Sequence, residues 1–321
     1  MLLDILFLVL GLVLILWGAS ALTDGSSAIA RRMGVSDLVV GLTVVSFGTS
    51  APELTISVMS ALNGSAGLAI GNVVGSNVFN ICAIIGITAL LRPVPVERSL
   101  MANEIPLVVL SSLVLLVMGC GVYLDGASSA VLTRVDGLIL LLFFAVFMRY
   151  VFASAKSAPS AGAAGEGKAV MPVWKAVLFT VGGLAALIWG GDKFVDGASG
   201  LASRMGVSEA VIGLTIVAVG TSLPELATSV TAALKGRTGI AVGNVIGSNI
   251  FNVFMVLGAS ATVRELPFQG VGIVDLALLA VASVLFWLSG RVIGHNVITR
   301  GEGAVFVILY AAYMTWVVIG A

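Results

Sequence analysis

Charge is scarce in this chain. Only 10% of its 321 residues are Asp, Glu, Lys or Arg, against roughly 25% in an ordinary soluble domain. The sixteen basic and sixteen acidic side chains cancel, so no excess positive field recommends nucleic acid as a partner. Cysteine numbers two, and Cys82 and Cys120 both fall inside hydrophobic runs. That excludes a disulfide framework and a thiolate cluster and leaves both as packing residues. The one histidine, His295, lies in a charged loop, where solvation accounts for it. A metal centre built on sulfur or imidazole is therefore not expected. What the chain has instead is apolar length: 59% of its residues are hydrophobic and the mean hydropathy is +1.14.

A helix needs about 20 apolar residues to cross a bilayer. Ten such runs are present, at 4–22, 38–62, 68–91, 103–121, 136–153, 173–190, 209–234, 240–263, 272–290 and 302–320, the second and seventh interrupted. The pattern predicts an all-α polytopic membrane protein. No basic residue precedes the first run and Asp4 does, so it reads as a retained helix, not a cleaved signal peptide. With loops alternating sides, one face collects Arg31, Arg32, Arg92, Arg98, Arg149, Lys156, Lys168, Lys175, Lys235, Arg237, Arg291 and Arg300, while the other holds only Arg134, Lys193, Arg204 and Arg264. Cytoplasmic loops carry the excess of Lys and Arg, which predicts that both termini lie outside the cell (inner) membrane.

The chain repeats itself. Residues 39–86 align with 211–258 without a gap, at a constant offset of 172, and the stretch ahead matches too, with Asp24-Gly25 against Asp196-Gly197. Each half holds five runs. An odd number brings the second half into the membrane from the opposite side, the inverted repeat common in transporters. The expected domains are a first repeat at 1–152, a cytoplasmic linker at 153–172 rich in Ala, Gly, Ser and Pro, and a second repeat at 173–321.

The repeat carries two polar motifs. Gly48-Thr49-Ser50-Ala51-Pro52-Glu53 returns as Gly220-Thr221-Ser222-Leu223-Pro224-Glu225. A carboxylate at mid-membrane costs on the order of 2.5 kcal/mol or more, so a pair at equivalent depth points to a bound cation. Pro52 and Pro224 supply no N–H and disfavour helix at the preceding residue, which predicts broken helices with free carbonyls near Ser46-Phe47 and Ala218-Val219. Carbonyls, hydroxyls and carboxylates together suit hard cations such as Na⁺ and Ca²⁺.

The second motif, Gly71-Asn72-Val73-Val74-Gly75-Ser76-Asn77-Val78-Phe79-Asn80, is mirrored by Gly243-Asn244-Val245-Ile246-Gly247-Ser248-Asn249-Ile250-Phe251-Asn252. Its paired glycines permit close backbone approach. Ser76 and Asn80 share a helical face, as do Ser248 and Asn252, and are expected to turn neutral oxygens toward the glutamates. Asn77 and Asn249 read as interhelical glue. Glu97 and Glu104 read as solvated or capping groups, and Trp174, Trp189 and Trp316 as members of an interfacial aromatic belt.

At these motifs the sequence resembles the cation/calcium exchanger superfamily, and within it the prokaryotic sodium/calcium exchangers, including the group related to potassium-dependent exchangers. The resemblance implies ten transmembrane helices in two inverted five-helix repeats, broken helices at the midplane and alternating access. Carried over residue by residue, it implies an ion site of Ser46, Thr49, Ser50, Glu53, Ser76 and Asn80 with Ala218, Thr221, Ser222, Glu225, Ser248 and Asn252. Ser46 and Ala218 would act through backbone oxygen. No cofactor is implied; the ions are cargo, Ca²⁺ and Na⁺, with K⁺ possible. Many relatives carry Asp at one of the positions held here by Asn80 and Asn252. Asn at both leaves two formal negative charges, enough for one Ca²⁺, and leaves the number of Na⁺ ions open.

The expected function is therefore Na⁺/Ca²⁺ antiport that exports Ca²⁺, by a monomer in the lipid bilayer. Ca²⁺/H⁺ exchange is the alternative, since buried carboxyls titrate. An intramembrane hydrolase lacks a nucleophile–base pair, His295 being far from the glutamates in sequence. A channel fits poorly with inverted repeats and broken helices.

Overall fold

The computed structural model describes residues 1–124, 126, 128–157, 171–206, 218–293 and 296–320. His295, most of the linker and the start of the expected seventh span lie outside the described residues. Among the described residues the fold is helical apart from four two-residue strands. In chain order the helices are α1 (Leu2–Met33), α2 (Asp37–Thr49), α3 (Ala51–Leu62), α4 (Ala66–Leu91), α5 (Arg98–Gly119), α6 (Arg134–Ser157), α7 (Val173–Arg204), α8 (Leu223–Leu234), α9 (Thr238–Val263), α10 (Ile273–Arg291) and α11 (Arg300–Ile319). Eight of these are each long and apolar enough to cross a membrane, and α2 with α3, bent by 46°, brings the number to nine if the pair is one span. The described part of the expected span 209–234 comprises Ala218–Gly220 and α8.

Three boundaries differ from expectation. The first and sixth spans, expected to end near 22 and 190, run on as helices of 32 residues each. Asp24-Gly25 and Asp196-Gly197 thus sit in helix, not in loops. The reason is packing: the continuation of α1 presents Gly25, Ser26, Ser27, Ala28 and Ala30, all buried, so the helix persists where hydropathy alone fades. α6 likewise continues past the linker boundary expected at 153.

α1 and α7 lie antiparallel along their whole length. Glycines at seven-residue spacing, Gly11, Gly18 and Gly25 in one and Gly183, Gly190 and Gly197 in the other, bring the backbones together. A Cβ on Gly18 would lie 2.7 Å from the Gly183 carbonyl, and one on Gly183 2.5 Å from the Leu22 nitrogen. In a bilayer such close van der Waals contact is what holds helices together. The most buried helices are instead α4 and α9, at the centre.

The two halves interlock at both faces. On one face Val94–Pro95 pairs antiparallel with Val297–Ile298, Arg92 donates to the Ala233 and Leu234 carbonyls at the end of α8 (3.2 and 3.3 Å), and Lys235 pairs with Asp24 at 2.8 Å. On the other, Val131–Leu132 pairs with Leu266–Pro267, Arg264 donates to the Leu62 carbonyl at the end of α3 (3.1 Å), and Arg204 pairs with Asp4 at 2.7 Å. A guanidinium on the last carbonyls of a helix satisfies orphan acceptors and suits the dipole. Arg92 and Arg264 are repeat counterparts, as are the left-handed turn glycines Gly64 (φ 81°) and Gly236 (φ 76°) that close α3 and α8.

Candidate cation-binding site

The site begins with the breaks. At Ser50 the chain leaves α2 (φ −85°, ψ 8°), and Pro52 enters the first turn of α3 where a missing N–H costs nothing. Ser222 (φ −92°, ψ 6°) and Pro224 repeat this before α8. Gly48 and Gly220 admit side chains from α7: a Cβ on Gly48 would meet Leu184 at 2.7 Å, and one on Gly220 would run into Val195. Each glutamate then projects from the first turn of its half-helix, and both are completely buried.

The halves exchange hydrogen bonds across the centre. Ser50 Oγ, from the first break, donates to Glu225 Oε1 at 2.9 Å. Ser222 Oγ, from the second, donates to Glu53 Oε1 at 3.2 Å, and Ser76 Oγ reaches the same oxygen at 3.1 Å. Ser76 and Ser222 are 2.7 Å apart, joining α4 to the second break. Six of the twelve expected residues thus fall into two clusters, Glu53 with Ser76 and Ser222 and Glu225 with Ser50, with Thr49 reaching the second. Thr49 does so through Asn244 Oδ1 at 3.0 Å.

The second oxygen of each glutamate stays unpartnered: Glu53 Oε2 and Glu225 Oε2 are buried without a hydrogen bond among the described residues. So are both polar atoms of Asn80 and the Oδ1 of Asn252, both side chains fully buried. Native proteins rarely leave such atoms orphaned, and a bound ion is one of the few explanations. Each Asn opens or adjoins a widened helical turn, Phe79–Ile84 in α4 and Asn252–Leu257 in α9. Turns of this kind shift side chains out of the ordinary helical register and recur at functional sites.

The remaining expected residues differ in how far they take part. Ser248 is fully buried. Ser46 is buried, but its hydroxyl turns back to the Leu42 carbonyl (2.9 Å), and its own carbonyl accepts from Ser50 N at 3.0 Å and Thr49 Oγ1 at 3.4 Å. The free Ser46 carbonyl anticipated from the break is thus engaged, because the chain tightens before Pro52 without unwinding. Thr221 is half-buried at the rim of a cavity of about 560 Å³ that also touches Ser76. Ala218 opens the short turn Ala218–Gly220.

Asn77 is interhelical glue, as expected, donating to the Asn249 carbonyl at 3.1 Å, but its Oδ1 also accepts from Asn252 Nδ2 at 3.0 Å. That bond leaves the Asn252 oxygen as the free end. Gly243 and Gly247 do allow close approach: a Cβ would meet the Leu38 carbonyl at 2.9 Å and Ser46 Oγ at 2.5 Å. Gly71, expected to do the same, meets only Val271 Cγ2 at 3.6 Å among the described residues. Glu104, read as a solvated or capping group, is buried at 4% exposure and accepts from Tyr150 Oη at 2.7 Å, since α5 turns it inward against α6. Asn72 and Asn244 had no assigned role, yet both grip the glutamate helices. The one signal in sequence was their identical place in both halves.

Among the described residues no three His, Cys, Asp or Glu side chains converge. The donor set at the centre is two carboxylates with amides and hydroxyls, chemistry for a hard cation exchanging rapidly. The chain matches the family described as sodium/calcium exchanger protein over residues 3–153 and 175–319. It belongs to that family.

Exchanger relatives align along nearly the whole chain. It is 32% identical over 342 residues to the sodium/calcium exchanger MaX1 of Methanosarcina acetivorans, with 97% of each chain covered. It is 36% identical over 300 residues to the inner membrane protein YrbG of Escherichia coli K12, covering 90% of this chain and 89% of that one. Among solved structures, the sodium-calcium exchanger NCX_Mj soaked with zero Na⁺ and Ca²⁺ matches with a TM-score of 0.84 at 32% identity over 98% of both chains. The exchanger family is one of transmembrane antiporters, not of enzymes.

Proposed function

We propose that this exchanger is a secondary antiporter that moves Ca²⁺ out of the cell in return for Na⁺, working as a monomer by alternating access. The observation that carries the reading is the pair of buried carboxylates, Glu53 and Glu225, each with one oxygen held by serines and one left free. Two carboxylates neutralise one Ca²⁺. The free amide oxygens of Asn80 and Asn252 complete a neutral shell, and Ser46, Thr49, Ser50, Ser76, Ala218, Thr221, Ser222 and Ser248 are the remaining ligands of the proposed Ca²⁺ and Na⁺ sites. With no third acid beside them among the described residues, Na⁺ and Ca²⁺ compete for the same two charges, which is the requirement for exchange in place of co-transport.

The same reading takes the chain as ten spans in two inverted repeats, 1–152 and 173–321, joined by a cytoplasmic linker, with both termini outside the inner membrane. What supports it is the mirrored interlock at the two faces and the Lys and Arg bias between them. The decisive experiment loads proteoliposomes with Na⁺ and measures ⁴⁵Ca²⁺ uptake on dilution into Na⁺-free buffer. Uptake that follows the Na⁺ gradient and survives a protonophore is expected. Uptake driven by a pH gradient alone would replace Na⁺ by H⁺ as the coupling ion.

A further inference from the structure

Asn72 and Asn244 lie outside the twelve expected ligands, yet the two halves use them identically. Asn72 Nδ2 donates to the Glu53 carbonyl at 3.3 Å and to Ser57 Oγ at 3.0 Å. Asn244 Nδ2 donates to the Glu225 carbonyl at 3.3 Å and to Ser229 Oγ at 2.9 Å. The two acceptors stand four residues apart, one helical turn, on α3 and on α8. A single bond would leave a half-helix free to roll about its axis. Two bonds one turn apart, from an amide rooted in the buried helices α4 and α9, fix that rotation and therefore the direction in which the glutamate leaves the backbone.

Asn244 does more. It is fully buried between the halves, and its Oδ1 stands 3.0 Å from Thr49 Oγ1, the hydroxyl just ahead of the first break. One amide thus couples the break in the first half to the glutamate helix of the second.

We infer that Asn72 and Asn244 are positioning residues that aim Glu53 and Glu225 at the shared cation, with Asn244 also tying the first break to the helix of the opposite carboxylate. The inference rests on the cation-site reading above. A misaimed carboxylate still reaches Ca²⁺ once the ion is abundant enough to draw it in, so affinity falls while the saturated state survives.

The test is the Ca²⁺ concentration that half-saturates equilibrium ⁴⁵Ca²⁺ binding to the purified, detergent-solubilised protein, with Tm measured alongside. For Asn244→Ala that concentration is expected to rise about tenfold, the scale of one or two lost hydrogen bonds, with the wild-type amount of Ca²⁺ still bound at saturation. A lower Tm without Ca²⁺ but an unchanged half-saturating concentration would mean packing alone and overturn the inference. Asn72→Ala and Ser229→Ala, which removes one anchor and keeps the amide, carry the same test if Asn244→Ala does not fold. A wild-type protein that binds no ⁴⁵Ca²⁺ would overturn the underlying cation-site reading instead, so the two failures are distinct.

Discussion

At the scale of single residues, the centre of the molecule is organised by what is left unsatisfied. Ser50, Ser76 and Ser222 each give a hydrogen bond to a glutamate oxygen, and among the described residues no lysine or arginine joins them there. Hydroxyl dipoles alone do not balance two buried carboxylates; in the proposed site a cation does. Replacing Glu53 or Glu225 by Gln keeps an oxygen for the serines and removes the charge. Each variant is expected to fold and insert normally and to lose ⁴⁵Ca²⁺ uptake down to the level of empty vesicles. Near-normal uptake by purified Glu53→Gln would take that residue out of the proposed site.

At the scale of elements, hydrophobic length and backbone chemistry divide the labour. Pro52 and Pro224 start α3 and α8 immediately after a break, and Arg264 and Arg92 hold the far ends of the same half-helices from the opposite repeat. The reciprocal caps Thr133–Asp136 and Thr299–Glu302 begin α6 and α11 in the same way, hydroxyl and carboxylate each satisfying the other residue's N–H or hydroxyl. The α1–α7 pair rests on backbone contact at its glycines. Gly18→Leu, whose Cβ has no room beside Gly183 and Leu187, should separate the pair and cost about 1–3 kcal/mol or more in stability. Gly182→Leu, with nothing within 4 Å of its Cβ among the described residues, is the matched control and should leave Tm unchanged. Equal Tm values for the two variants would show that the glycine contact does not hold the helices.

At the scale of the whole molecule, contacts between the halves sort cleanly by face. Arg92, Lys235 and the Val94–Pro95 strand meet their partners on one side, Arg264, Arg204 and the Leu266–Pro267 strand on the other. No partner crosses between the two sets, as an antiparallel arrangement of two related halves requires. Single cysteines introduced for Ser160 and at the C-terminus are expected to label from opposite sides of sealed vesicles. Labelling of both from one side would refute the odd number of spans per half.

Membrane insertion, the repeat, the positions of the breaks and the burial of the two glutamates followed from sequence alone. Each is set by local chemistry: apolar length, a missing proline N–H, a charge where charge is costly. The true length of α1 and α7 did not follow, because Gly25, Ser26 and Ala30 stay helical only through burial against neighbours. The exchange of serine donors between halves and the orphaned oxygens of Asn80 and Asn252 were equally illegible, as was the double grip of Asn72 and Asn244. The serine exchange joins atoms 169 to 175 residues apart, which only packing of one repeat against the other decides; the grip of Asn72 and Asn244 spans 15 to 19 residues and is set by how each glutamate helix packs on its neighbour.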